Sequence, residues 1–139
     1  MEETNGRVFW LTGLSGAGKT TLATNLASQL CGEIISADSR QVYRRMDLGT
    51  GKDLAEYCVN GITIPHHLIN IAEPGTKYNL FQYQEDFHKV YQDILQRGRL
   101  PILCGGTGLY IEAILKGYNL SPVPQNQSLR ELVFLFWRR

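Results

Sequence analysis

The sequence contains no hydrophobic run long enough to cross a membrane, no internal repeat, no low-complexity tract and no large charge of either sign. Each absence narrows the reading. A membrane-spanning helix needs about 20 consecutive apolar residues, and the acidic start MEETNG lacks the basic and then apolar pattern of a signal peptide. The chain therefore reads as cytoplasmic, without a membrane partner. A formal net charge of +1 gives no global signal for a polyanion, so any contact with nucleic acid has to be local. Cys31, Cys58 and Cys104 are odd in number and never spaced C-x-x-C. That excludes the usual zinc and disulfide frameworks and predicts buried thiols in a reducing compartment. What is present, 139 residues with 43% hydrophobic and 19% charged content, suffices for one globular domain with a real core.

The most informative stretch is LTGLSGAGKTTLA, Leu11 to Ala23. Gly13, four free positions, Gly18, Lys19 and Thr20 make the phosphate-loop pattern G-x-x-x-x-G-K-[ST]. Its setting fits, because an apolar run from Val8 to Leu11 precedes it. Leu22, Leu26 and Leu30 follow at helical spacing and predict the buried stripe of a helix. Such a loop turns backbone N–H groups onto an anion at a helix start, where the dipole favours negative charge. Gly13, Leu14, Ser15, Gly16, Ala17, Gly18, Lys19 and Thr20 are thus candidates for holding two adjacent phosphates. Thr20 is the candidate magnesium ligand. The pattern does not say whether the phosphates belong to ATP or another diphosphate.

Strand-like and helix-like segments alternate along the rest of the chain. VFWLTG, EIISADS and LPILCGG read as strands, and HHLINI as a short one. Helices are predicted from about Lys19 to Leu30, over YNLFQYQEDFHKVYQDILQRG up to a stop at Gly98, and over TGLYIEAILKG up to Gly117. In the second helix Leu80, Tyr83, Phe87, Val90, Tyr91, Ile94 and Leu95 form the expected core stripe. This alternation predicts an α/β fold with a parallel sheet flanked by helices. Ligands of such sheets bind beyond the C-terminal strand ends, where the polar loops Gly13–Thr20, Asp38–Gln41 and Gly105–Thr107 converge. Plainer readings exist for each. Asp38 also suits a turn, and Thr107 a helix N-cap. The adjacent His66 and His67 alternate faces on a strand and so do not make a metal pair. Arg44 and Arg45 suit either a solvated face or a phosphate contact.

Four stretches together carry a family resemblance: GLSGAGKT, ISADSRQVYRRMDLGTGKD, PHHLINIAEPGTKYNLFQYQEDF and LPILCGGTGLYIEAILKGY. In this order and spacing they resemble the N-terminal part of the tRNA dimethylallyltransferases, the IPP transferase family, from about Val8 to about Glu131. The resemblance implies a P-loop-containing nucleoside triphosphate hydrolase-like fold. It implies transfer of a dimethylallyl group from dimethylallyl diphosphate to the exocyclic amine of the adenosine 3′ of the anticodon in tRNA. On that basis the loop holds the diphosphate leaving group, with Mg2+ as cofactor and the anticodon arm of tRNA as partner. Asp38 and Thr107 become the catalytic candidates, Asp38 as the base. Asp38, Ser39, Arg40, Gln41 and Thr107 become contacts to a target base flipped out of its stack.

The chain departs from the family in two ways. The family loop usually carries G-P-T where this sequence has Gly13-Leu14-Ser15; Ser15 keeps a hydroxyl, and Leu14 replaces the stiffening proline. Members usually run to about twice this length. Residues 1–139 are therefore expected to be one P-loop domain, without the helical insertion that grips the anticodon arm and without the C-terminal part. The apolar end LRELVFLFWRR reads as a cut or frameshifted product. A monomer is expected. GLSGAGKTT also resembles the loop of adenylylsulfate kinases, so a small-molecule kinase stands as one alternative. A non-catalytic phosphate-binding fragment and a free-nucleotide isopentenyltransferase are the others.

Overall fold

Branched and apolar residues at the two central strands decide the architecture. In the computed structural model, which describes residues 8–14, 16–122 and 126–137, β2 (Gly32–Ser36) and β6 (Leu100–Gly105) are buried almost throughout. They pair in parallel, with Ile34 opposite Ile102 and Ile35 opposite Leu103. β1 (Phe9–Thr12) joins the far side of β6, and β5 (His66–His67) joins β2, giving the parallel order β1-β6-β2-β5. A two-residue hairpin of β3 (Cys58–Val59) and β4 (Ile62–Thr63) stands apart. Strands buried on both faces read as continuous apolar runs, which is why EIIS and LPILC were legible.

Period-2 alternation sends the core to both sides of the sheet. Ile35 and Leu103 meet Tyr83 and Phe87 of α2 (Leu80–Gln96) and Tyr110 and Ile111 of α3 (Gly108–Leu115). Ile34, Ile102 and Cys104 meet Ala23 and Ala27 of α1 (Lys19–Leu30) on the other face, beside Tyr57 and Ile64. The α1 stripe expected at Leu22, Leu26 and Leu30 is not the buried one: Leu22 and Leu30 are exposed, while Ala23, Thr24 and Ala27 are buried. The reason is a close approach. A Cβ on Gly32 would stand 3.3 Å from the Ala27 Cα, so only small residues of α1 fit against β2.

α2 begins at Leu80 with a capping box, in which Asn79 accepts from the Gln82 N–H and the Gln82 side chain accepts from the Asn79 N–H. Its stripe is buried at Tyr83, Phe87 and Ile94, whereas Leu95 is exposed; the helix ends before Gly98, at φ 68°. HHLINI is a strand only at His66–His67, because Leu68 and Asn70 take positive φ and turn the chain out of the ladder. The two histidines diverge as alternation requires. His66 lies against the Tyr57 ring at 4.2 Å between centroids, and His67 reaches Glu33. Cys104 is buried as expected, but Cys31 and Cys58 are exposed. The terminal apolar run forms α4 (Gln127–Trp137), on which Leu129, Leu132, Val133 and Phe136 are exposed.

At the strand end remote from the polar loops, one carboxylate fastens three elements. Glu33, 2% exposed, accepts from Arg97 at 2.7 and 3.1 Å, lies 2.6 Å from the His67 Nε2, and has Arg99 at 3.5 Å. Burial alone raises its pKa, but hydrogen bonds from Arg97 and His67, with their charges, outweigh burial and hold it below the ordinary carboxylate value. A depressed folded pKa gives stability that is complete above the unfolded carboxylate's pKa and is lost as pH falls through the folded one. Glu33→Gln is expected to cost about 1–3 kcal/mol at neutral pH and to flatten the loss of stability on acidification. Urea unfolding of parent and variant across the acid range checks this; parallel curves refute it.

Candidate active site

Three strand ends build the site. β1 delivers the phosphate loop, β2 delivers Ala37 and Asp38, and β6 delivers Gly105 and Gly106. The junction of the last two is tight: Ala37 donates its N–H to the Cys104 carbonyl at 2.8 Å, and Thr107 donates its N–H to the Ala37 carbonyl at 3.0 Å. A Cβ on Gly105 would stand 2.3 Å from the Ala37 carbonyl carbon and oxygen, and one on Gly106 3.6 Å from the Gly13 carbonyl. The Gly105-Gly106 pair is thus the spacing element that brings β6 between the other two strand ends.

The phosphate loop has the backbone its glycines predict. Gly13, Gly16 and Gly18 take φ of 151°, 77° and 71°, which side chains with a Cβ rarely adopt. Gly18 caps α1 without any side-chain hydrogen bond, leaving the first N–H groups of α1 for an anion. The Lys19 ammonium folds back onto the Leu14 carbonyl, and Ala17 donates to the same oxygen at 3.3 Å. Ser15 lies outside the described residues.

Asp38, 9% exposed, follows β2 directly. Its Oδ1 accepts from the Arg40 N–H at 2.9 Å, with the Arg40 Nε 3.6 Å away. Thr107 is the N-cap of α3, yet its hydroxyl makes no cap bond. It accepts from the Ser39 N–H at 2.8 Å and donates to the Ser39 hydroxyl at 3.2 Å. Its hydroxyl thus joins two loops, where the helix start would have used it, and neither Thr107 nor Ser39 is itself among the residues lining the cavity between the loops. The Gln41 side chain is turned toward its own chain: the amide donates to the Gly51 carbonyl at 3.2 Å and the Thr50 carbonyl at 3.5 Å. The Arg44 alternatives resolve toward structure, since its Nε donates to the Asn70 carbonyl at 2.8 Å and it pairs with Glu73.

These loops surround one cavity of about 580 Å³, lined by Gly13, Lys19, Thr20, Asp38, Arg40 and Gly105 among others. Sequence reasoning missed its remaining wall, Asp47 to Asp53 with Glu56, Tyr57 and Cys104. The signal available was GTGKD, whose two glycines mark a loop too tightly turned for a linker. Burial holds two of the wall's groups, Tyr57 and Cys104, in their protonated forms. It raises the Tyr57 phenol, aided by the nearby Cys104, Glu56 and Asp38, and pushes the Cys104 thiol up to about 11. Neither supplies a nucleophile near neutral pH.

A model of the IPP transferase family matches residues 41–134, and one of the adenylylsulphate kinases matches residues 5–47. The tRNA dimethylallyltransferase 1 of Parabacteroides distasonis is 67% identical over 121 residues, covering 87% of this chain and 39% of its own length. The tRNA dimethylallyltransferase 2 of Bacteroides fragilis is 62% identical, covering 86% of this chain and 39% of its own. Among solved structures, the tRNA isopentenylpyrophosphate transferase of Bacillus halodurans superposes with a TM-score of 0.77 at 38% identity, covering 95% of this chain and 43% of its own. A eukaryotic dimethylallyltransferase acting on tRNA superposes with a TM-score of 0.73 at 31% identity, covering 88% and 29%. The chain spans about two fifths of the length of the curated relatives it matches. The kinase match covers the phosphate loop and the Asp38 loop and ends at Asp47, while the transferase match starts at Gln41 and runs over the pocket wall, the Gly105–Thr107 loop and three helices. Sheet, strand-end loops and sequence agree, and the chain belongs to the IPP transferase family.

Proposed function

We propose that this chain carries the donor-binding and proton-accepting half of a tRNA dimethylallyltransferase site. The observation supporting this reading is the hydrogen-bonded junction of Ser39 with Thr107, which seats Asp38 in the same cavity as the phosphate loop. The loop N–H groups, Lys19 and Thr20 hold the diphosphate of dimethylallyl diphosphate. The lysine exchanges the Leu14 carbonyl for phosphate oxygen, a stronger, charge-assisted partner. Thr20 offers a hard oxygen donor of the kind magnesium takes together with phosphate and water. When bound, the ion supplies charge neutralisation to the departing diphosphate.

In the transfer, the allylic carbon–oxygen bond breaks and its electron pair leaves with the diphosphate. A bond forms from the exocyclic adenine nitrogen to that carbon, and a proton passes from the nitrogen to the Asp38 carboxylate. The Arg40 N–H on Oδ1 fixes the carboxylate orientation for that step. Ser39 and Arg40, at the mouth of the same loop, contact the flipped nucleotide. Gln41 contributes by holding the opposing wall. The relatives' names support tRNA as the acceptor in this reading, met in the cytoplasm. Among the described residues no helix is long and apolar enough to cross a membrane.

Two outcomes test the reading. Lys19→Ala is expected to weaken magnesium-pyrophosphate binding about 10- to 100-fold, the worth of a charge-assisted hydrogen bond. Its melting temperature should stay close to the parent's; calorimetry beside thermal melts decides, and equal affinities refute the assignment. In radiolabelled dimethylallyl transfer to unmodified tRNA, this chain should turn over far more slowly than a version extended to the relatives' length. Orienting two reactants needs the whole clamp. In the extended version Asp38→Asn should lower kcat about 10²- to 10⁴-fold, and unchanged kcat would remove Asp38 as the base.

A further inference from the structure

The Lys52 side chain is 1% exposed, an unusual place for an ammonium, which is almost never buried unless paired. All three of its N–H donors are accounted for: the Tyr43 carbonyl at 2.7 Å, the Asp47 Oδ1 at 3.0 Å and the Asn70 Oδ1 at 2.7 Å. The acceptors come from three separate segments. Tyr43 belongs to the stretch after the Asp38 loop, Asp47 to the pocket wall, and Asn70 to the stretch after β5. Those outer segments are themselves joined, with Asn70 donating to the Gln41 carbonyl at 3.1 Å and Ile71 to the Val42 carbonyl at 2.8 Å.

The wall between them is an arch that local propensity does not favour. Arg45, Gly49 and Gly51 have φ of 58°, 75° and 66°, and Leu48 is almost fully exposed. Few apolar contacts hold the arch. Polar ties do: Lys52 from inside, the Thr50 hydroxyl donating to the Met46 carbonyl at 2.7 Å, and the Gln41 amide on the carbonyls of Thr50 and Gly51. Lys52 is the one cation among these ties, and it lines the same cavity as the phosphate loop.

We infer that Lys52 is a positioning residue: its buried ammonium holds the Asp47–Asp53 arch as the fixed wall of the cavity, so that a ligand anchored at the phosphate loop is enclosed on its second side. The role rests on the donor reading above as to which ligand is enclosed, and on geometry alone as to the arch. The ammonium works through hydrogen bonds to other groups and is given no contact with substrate.

The test compares Lys52→Met, which keeps length without donors, with Lys89→Met, which removes an exposed ammonium on α2 away from the cavity. Three measurements are made on the 139-residue chain: amide hydrogen exchange, affinity for magnesium-pyrophosphate, and affinity for the unreactive donor analogue dimethylallyl S-thiolodiphosphate. In Lys52→Met, exchange at residues 46–51 is expected to rise about tenfold or more, as lost hydrogen bonds free the arch. Exchange in β2 and β6 should keep its parental rate. Pyrophosphate affinity should stay within about twofold, and the analogue should lose about fivefold or more. Lys89→Met should stay near the parent in all three. Unaltered exchange at 46–51 overturns the positioning role whatever the ligand. Exchange rising equally through the sheet, or both ligands weakening alike, shows Lys52 to be a general stabilising residue and overturns it too. A parent that binds the analogue no more tightly than pyrophosphate overturns the donor reading instead, and the exchange result still decides the arch.

Discussion

The approach of Gly105 to Ala37 is the constraint on which the site depends. With a space of 2.3 Å where a Cβ would fall, no other residue type lets β2 and β6 end side by side. Asp38 and Thr107 are 69 positions apart in sequence (107 − 38), and only that contact places them on one loop junction. The hydrogen bonds between the strand ends, Ala37 to Cys104 and Thr107 to Ala37, follow from it. So does the Thr107–Ser39 pair. Asp38 and Thr107 are therefore held by the middle of the sheet, while the outer wall relies on polar ties between loops.

The two faces of the sheet divide the work. The α2–α3 side is aromatic: Tyr83 stacks on Tyr110 at 3.9 Å and donates its hydroxyl to the Ser36 carbonyl at 3.1 Å, shortly before Asp38 in the chain. The α1 side is built from small residues, which lets the helix carrying Lys19 and Thr20 sit close to the strands. One face thus supports the Asp38 strand end by bulk. The other brings the anion-binding helix start near it by the lack of bulk.

Much of this was legible in the sequence, for reasons that can be traced. The phosphate loop, the apolar strands and the glycine stops at 98 and 117 obey local rules, and each is found where those rules put it. The α1 stripe was misread because leucines at helical spacing were weighed by hydrophobicity, while the neighbour at Gly32 selected for size. The strand at HHLINI broke after two residues because Leu68 and Asn70 adopt a left-handed backbone that their side chains do not announce. The pocket wall escaped notice for a similar reason. Its defining interaction, Lys52 among acceptors from three segments, is tertiary, and a lone lysine in sequence reads as solvent-exposed. Leu95 and the exposed Cys31 and Cys58 were overcounted into the core on residue type alone.

β1 bears on what the phosphate loop can do. Among the described residues it is hydrogen-bonded on one side only, to β6, and Phe9 and Trp10 on it are exposed. The Asp38 and Gly105 loops leave strands hydrogen-bonded on both sides, and the phosphate loop leaves a strand hydrogen-bonded on one. The two anchors of one cavity thus stand on unlike footings: the carboxylate on the middle of the sheet, and the anion cradle on a strand at its described edge.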